Sequence, residues 1–433
     1  MGGARSERGV GGGAERAGDT YEAFARRITA SGIVTDPWVS GEPRFREEPV
    51  ILSAADARAM YRVAESVAEV YNELCLMVAD EPEVLDSFFG LSPYQKAMWM
   101  ASQPLWHTIA RADVFVTDEG LQIAELNCDT PTGEAEAIVL GPLAARAGTV
   151  DPNRALGTRF ADVTEMLATA MLAKGAGSVD SSLRRAGIVY PTELPEDLSL
   201  VRLYKKTFEE RGWEVVLGSP YNLSHDEERG LLLFDDPISL VLRHYKTDWW
   251  GERQSAWDDE ELLDPQPLEE PLEAVLAAML GGRAAVVNPF GAVVPQNKRA
   301  MAFMWEQIHR FSRRAQETIR AHVPVTRRLE AFHLEQLAAQ KDDWVLKSDY
   351  GSEGDEVVIG RLTTAEVWKE SLAHARRGRW IVQRYFQAKE GPRGETINHG
   401  VFVLAGEAAG LYARVQVGAT DDRALSAPVL IAG

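Results

Sequence analysis

Apolar residues recur at helical spacing from Ser53 to Ala79. Met60, Val63, Val67, Val70, Tyr71 and Leu74 form one stripe, and Ser53 stands where an N-cap belongs. The spacing predicts a long scaffold helix. Pro93 to Ala101, with Trp99, Trp106 and His107, reads as further helical packing. For His107 a core or surface role outweighs metal ligation, because no second histidine stands at metal spacing. The period then changes to two. Ala110 to Thr117 and Leu121 to Cys128 alternate as strands joined by Asp118, Glu119 and Gly120, whose glycine can take the left-handed conformation such a turn needs. In that register Arg111 faces Asn127, Asp113 faces Glu125 and Phe115 faces Ile123, all on one side of the hairpin.

After Pro131 to Gly133 breaks the strand, GEAEAIVLGPLAARAG can start a helix. Further on, AGIVYP, LSLVRLYKKTFEERG and WEVVLGSP read as strand, helix and strand of an open α/β layer, to which GLLLFDD and ISLVLRHY add two strands. WVLKSDYGSEGDEVVIG is strand, glycine-containing loop and strand; RWIVQRYF and HGVFVLAGEAAGLYARVQVG supply the rest. Residues 1–19 combine glycine and charge without periodicity and are expected to be disordered, with structure beginning near Tyr21. The acidic, proline-containing DDEELLDPQPLEEPLE reads as a loop or lid with a solvated charge run.

Chemistry concentrates in the hairpin. Directly opposed carboxylates sit roughly 5 Å apart at Cβ and repel unless a cation lies between them. Asp113, Glu125 and the Asn127 amide make a hard-oxygen set suited to Mg²⁺, with Arg111 available to a phosphate or carboxylate. The same spacing also describes a solvated face on which Arg111 balances the acids. Lys347 precedes a loop in which Gly351 and Gly354 would let backbone N–H groups approach an anion, although a plain hairpin accounts better for that pattern alone and no Walker sequence is present. Thr130 and Thr132 stand either as helix caps or beside an anionic group at the helix start.

Composition narrows the picture. With 433 residues, 45% hydrophobic and 26% charged, the chain has the make-up of a globular protein with room for more than one domain. A net charge of −19 argues against nonspecific nucleic-acid binding, which needs a basic footprint. Cys75 and Cys128 are the only cysteines, giving neither a disulfide framework nor a zinc pattern, and a reducing cytoplasm fits best. No apolar run approaches a membrane helix, and no signal-peptide core opens the chain.

Five ordered blocks resemble the synthetase part of the glutathionylspermidine synthase family, which are circularly permuted ATP-grasp ligases. They are Arg111-x-Asp113 with Glu125-x-Asn127 running into NCDTPTGEAEA, VNPFGAVVPQNKRAMAFMWE around Lys298, VLKSDYGSEGDEV, IVQRYF, and the strand pair reaching Arg414. The resemblance implies an α+β/α/β fold: a circularly permuted ATP-grasp with an added open α/β layer and a helical N-terminal part. The expected division is a tail at 1–19, a helical region with the metal-binding hairpin at 20–180, an α/β substrate-side domain at 181–280 and a nucleotide-binding region at 281–433.

The same resemblance implies ATP and Mg²⁺ as cofactors, a carboxylate and an amine as substrates, and an amide bond formed through an acylphosphate. Asp113, Glu125 and Asn127 would hold Mg²⁺ on the phosphates, and Arg111 would orient a phosphate or the acyl group. Lys298 and Lys347 would grip ATP, the Gly351–Ser352–Gly354 loop would cover its phosphates, and the Gln383 segment would line the adenine slot. Arg414 would stabilise the moving phosphoryl group, and Thr130 and Thr132 would contact the acyl substrate. Ser352 replaces a common family arginine, and VQVGATDD follows Arg414 in place of an Arg-Glu-Asp-Asp-like run, so the departures fall on the substrate side. Two other functions stay open: a Mg²⁺·ATP-binding regulatory or partner-binding protein, and a phosphotransferase using the same clamp.

Overall fold

The computed structural model describes residues 14–173, 184–192, 197–252, 266–351, 356–418 and 423–433, with side chains from Tyr21 onward. The fold is mixed α/β, and three sheets matter for the site. A five-stranded sheet forms the centre, in the order Leu425–Ala427, Glu407–Gln416, Thr396–Leu404, Ile109–Thr117, Gly120–Asn127. Two of its inner strands, Thr396–Leu404 and Ile109–Thr117, alternate between two faces. Ala110, Ala112 and Val114 point to one face with Val401, Val403, Leu411 and Ala413, and pack with residues of the long helix Ala54–Asp80. Arg111, Asp113 and Phe115 point to the other face and line a cleft. Ser53 caps the helix as its spacing predicts, its side chain accepting from the Asp56 N–H at 3.1 Å.

A four-stranded parallel sheet stands beside the cleft, in the order Ala285–Val287, Leu240–Arg243, Arg185–Val189, Glu214–Gly218. Its helices include Leu198–Glu210 and Glu269–Leu280, whose apolar faces share one core with the strands. GLLLFDD does not join this layer, because Gly230–Leu233 pairs instead with Leu223–Asp226 and Asp236–Pro237 as a separate antiparallel unit. Chain order places the switch point between the first and third parallel strands, where ligands of open α/β sheets bind beyond the carboxyl ends. Over the cleft lies an antiparallel sheet of Thr326–Arg328, Trp380–Arg384, Trp344–Ser348 and Val357–Ile359. Leu346, Trp368, Trp380 and Val382 form its private core.

Several sequence expectations are corrected. The first helix starts at Ala14 rather than near Tyr21, because AERAGD consists largely of helix formers leading into the amphipathic face; residues 1–13 lie outside the described residues. The acidic stretch ends in a helix, Glu269–Leu280, while residues 253–265 lie outside the described ones. The hairpin turn is tighter than expected, since Gly120 pairs with Thr117 and leaves Asp118 and Glu119 as the loop. A bulge between Asp113 and Val114 then absorbs one residue on the second strand, so Phe115 faces Gln122 instead of Ile123 and Ile123 turns into the core. The pairs Asp113–Glu125 and Arg111–Asn127 survive because the shorter turn and the bulge offset each other.

Candidate active site

The cleft between central sheet, upper sheet and parallel sheet has a volume of about 1250 Å³. Its floor is the hairpin. Arg111 donates from Nε to Asp113 Oδ1 at 2.8 Å, from Nη2 to Oδ2 at 3.2 Å, and from Nη1 to the Thr132 carbonyl at 2.7 Å. The guanidinium therefore fixes both the acid and the loop that follows the hairpin. Its stem crosses Gly400, where a Cβ would stand 2.8 Å from Arg111 Cδ. Asn398 on the neighbouring strand donates from Nδ2 to Asp113 Oδ2 at 3.2 Å, and its own Oδ1 is buried without a partner.

Glu125 has different company. Lys298 Nζ lies 3.6 Å from Glu125 Oε2, and Asn127 Nδ2 donates to Oε1 at 3.3 Å. Burial alone would raise the Glu125 carboxyl, but Lys298, Lys347 and Arg111 together hold it below the ordinary value. Lys298 also donates to the Gly351 carbonyl, and its backbone N–H to the Asp349 carbonyl at 2.8 Å. Lys347 hangs from the upper sheet with Nζ 3.5 Å from the Ala124 carbonyl at the bulge. Burial pushes Lys347 down to about 8 against the pull of Glu125. Gln383, beside it on the upper sheet, bonds Thr326 Oγ1 at 3.2 Å and reaches the Ala124 carbonyl at 3.5 Å. Val345, Val357, Ile359 and Phe386 complete an apolar wall there, Phe386 lying 5.4 Å from the Phe115 ring.

The third wall comes from the switch point. Asp129, two residues beyond Asn127, accepts from Arg243 Nη2 through Oδ1, and from the Thr247 N–H and hydroxyl through Oδ2 at 2.7 and 3.1 Å. Asn288 binds the same corner, donating to the Cys128 and Asp129 carbonyls while accepting from the Thr108 and Ile109 N–H groups. Gln296 Oε1 accepts from the Cys128 and Asp129 N–H groups at 2.8 and 3.0 Å. The VNPFGAVVPQNK block thus welds the parallel sheet to the hairpin. His244 pairs with Asp197 at 3.3 Å; burial would lower it, but Asp197 raises it above the ordinary value.

Arg111, Asp113, Glu125, Asn127, Thr130, Thr132, Lys298, Lys347, Gly351, Gln383 and Arg414 all line this one cleft. Ser352 and Gly354 lie outside the described residues. His107 is absent from the lining; both its ring nitrogens are buried without a partner, and burial pushes it down to about 4. Sequence reasoning missed Asn398, Asp129, Gln296 and Asp248. Asn398 carried a signal as a lone amide on the cleft side of an apolar strand; Asp129 and Gln296 depend on contacts more than 100 residues apart in sequence, and Asp248 is placed by the bonds of its neighbour Thr247 to Asp129. Opposed carboxylates, Asn127 and the free Asn398 oxygen make a hard-oxygen set that fits Mg²⁺. Among the described residues no group of three or more His, Cys, Asp or Glu gathers as a metal site, so a cation here would complete its shell with water or ligand oxygens.

Fold and cleft together define a mixed α/β protein with a charged floor, lysines above it and a parallel sheet at its side. The chain belongs to the glutathionylspermidine synthase preATP-grasp family, whose model matches residues 22–432; this membership supports a ligase. The apo structure of a glutathione synthetase-like effector from Globodera pallida is 12% identical, with a TM-score of 0.60 over 95% of this chain and 96% of that one, and shows the same fold. A putative γ-glutamylcysteine synthetase from Methylobacillus flagellatus is 13% identical, with a TM-score of 0.43 over 88% of this chain and 87% of that one. No curated protein matches the sequence at a significant level. No helix among the described residues is long and apolar enough to cross a membrane.

Proposed function

We propose that the protein is an ATP-dependent carboxylate–amine ligase built as a circularly permuted ATP-grasp, with ADP, phosphate and an amide as products. The observation that carries this reading is the convergence of five separate sequence blocks on one cleft, with opposed acids below and two lysines above. In this reading a carboxylate takes the γ-phosphoryl group of ATP to become an acylphosphate, and an amine displaces phosphate.

Each residue has a physical task in that scheme. Asp113, Glu125 and Asn127 would hold Mg²⁺, which neutralises phosphate charge when bound. Glu125 is the more available carboxylate, because its contacts with Asn127 and Lys298 are longer than those of Asp113 with Arg111 and it is the more exposed of the two. Lys298 and Lys347 grip the phosphates, and Arg111 orients a phosphate or the acyl group as Arg414 offsets charge on the moving phosphoryl. Gln383 and the apolar wall around Phe386 offer the adenine a slot. Thr130 and Thr132 contact the acid.

The test is ADP release from Mg²⁺ and ATP with a panel of amino-acid and small-peptide carboxylates plus amines. Wild-type protein is expected to release ADP only when an acid is present, and Asp113→Ala to lose roughly 100-fold or more. Equal behaviour of the two proteins, or no ADP on any acid, overturns the reading.

A further inference from the structure

The cleft is rich in acids, yet most of the buried ones are already engaged by the protein. Asp129 is held by Arg243 and Thr247, Asp197 by His244, and Glu136 by Arg44 and Ser199. Glu252 and Asp349 share Arg379. Asp248 differs. It is 6% exposed, it lines the cleft, and its Oδ1 has no hydrogen-bond partner. Beyond its own backbone N–H, the carboxylate has Lys246 Nζ at 3.9 Å from Oδ2. Lys246 in turn lies over the Trp249 ring, 4.8 Å from its centroid.

Position adds to this. Asp248 follows Thr247, whose N–H and hydroxyl are bonded to Asp129, and Asp129 stands two residues beyond Asn127. This link sets Asp248 beside the Asp129 corner from which the chain runs on to Thr130 and Thr132, and within electrostatic reach of Asp349 on the upper sheet's side of the cleft. A buried carboxylate oxygen without a donor is costly unless a ligand supplies one. Burial, aided by Asp129 and Asp349 and opposed by Lys246, pushes the carboxyl up to about 6, which suits a group that accepts a proton near neutrality.

We propose that Asp248 receives the acceptor amine: Oδ1 accepts a hydrogen bond from the incoming ammonium and then takes its proton, with Trp249 flanking the alkyl chain. This rests on the ligase reading above. The freed nitrogen lone pair forms the C–N bond at the acylphosphate carbonyl, and the carbonyl carbon to phosphate-oxygen bond breaks. One ammonium proton ends on Asp248, a second leaves with phosphate as hydrogen phosphate, and the third remains on the amide nitrogen. No other reactant is needed.

The experiment compares wild type with Asp248→Asn, which keeps shape and removes charge, on whichever carboxylates of the panel support ADP release. Two kinds of nucleophile are offered. Hydroxylamine is uncharged at neutral pH and traps an acylphosphate as a hydroxamate, whereas n-butylamine and spermidine arrive as cations and give amides detectable by mass. The variant is expected to keep hydroxamate formation within about twofold and to lose amide formation from the cationic amines by about 100-fold. Amide formation within about threefold of wild type, or a parallel loss of hydroxamate and amide, overturns the assignment, the second outcome marking Asp248 as structural. A wild type that gives neither hydroxamate nor ADP overturns the ligase reading and this inference with it.

Discussion

Both oxygens of Glu134 are buried without a partner, and the residue is only 2% exposed. Burial pushes its carboxyl up to about 7 from an ordinary 4.5, although its own backbone N–H and Arg111 pull it down. The unfolded chain ionises the group near the ordinary value, so between about 4.5 and 7 the folded state holds one more proton. Stability is expected to fall as pH rises through that window, by about 2–4 kcal/mol in all. Glu134→Gln should remove this fall and leave the variant more stable than wild type at pH 8 but not at pH 5, as read by urea unfolding at both pH values. A wild-type curve flat across the window would mean that water or a neighbour satisfies the carboxylate. The first turn of a helix after DTPTG is an ordinary place for glutamate in a sequence, and only burial among Tyr204, His244 and Arg111 makes this one unusual.

At the scale of elements, the hairpin and its neighbour strand work as one unit. Gly400 pairs with Asp113 and leaves the space through which Arg111 passes. Gly400→Ala is expected to displace Arg111 from Asp113, costing about 1–3 kcal/mol by overpacking and lowering acid-dependent ADP release in parallel. Denaturant midpoints and ADP assays on one preparation check both effects, and unchanged values would show that the arginine stem moves aside freely. The shared face of Asp113 and Glu125 was legible from alternation, and their opposition was read from a three-residue turn that the structure replaces with a two-residue turn and a bulge. The bulge was not legible, because its signal, one extra residue at Ala124 between Ile123 and Glu125, shows only when the partner strand is known. Likewise the alternation of the upper sheet could be read from WVLKS and WIVQR, whereas its closure over the hairpin depends on Lys347 and Gln383 meeting the Ala124 carbonyl.

For the whole molecule, Arg379 joins parts that the sequence keeps far apart. It donates from Nε to Asp349 at 2.5 Å, from Nη1 to Glu252 at 2.8 Å and to the Gly90 carbonyl at 2.9 Å, and from Nη2 to Glu252 again. The upper sheet is thereby tied to the switch-point wall and to the helical scaffold. Arg379→Gln is expected to cost roughly 1.5–3 kcal/mol, the value of charge-assisted hydrogen bonds, and to speed amide exchange in Trp344–Ser348 and Val357–Ile359. Hydrogen-exchange mass spectrometry reads this; exchange unchanged in both strands would leave Arg379 without a role in holding the sheet down.

The sequence by itself determined the long capped helix, the strand–helix–strand run and the shared face of Arg111, Asp113, Glu125 and Asn127, because these follow from periods of two and 3.6 residues and from short turns, whereas the wider set of cleft residues was indicated only by the resemblance of the five blocks. The tertiary structure decided which acids the protein satisfies for itself and which it leaves open. Asp129, Asp197, Glu252 and Asp349 look alike in the sequence to Asp248, and they differ because arginine, histidine or threonine partners from distant segments reach them. That distinction arises from long-range packing, which local spacing cannot encode, and it turns a charged floor into a cleft with separate places for phosphate, acid and amine in the proposed reaction.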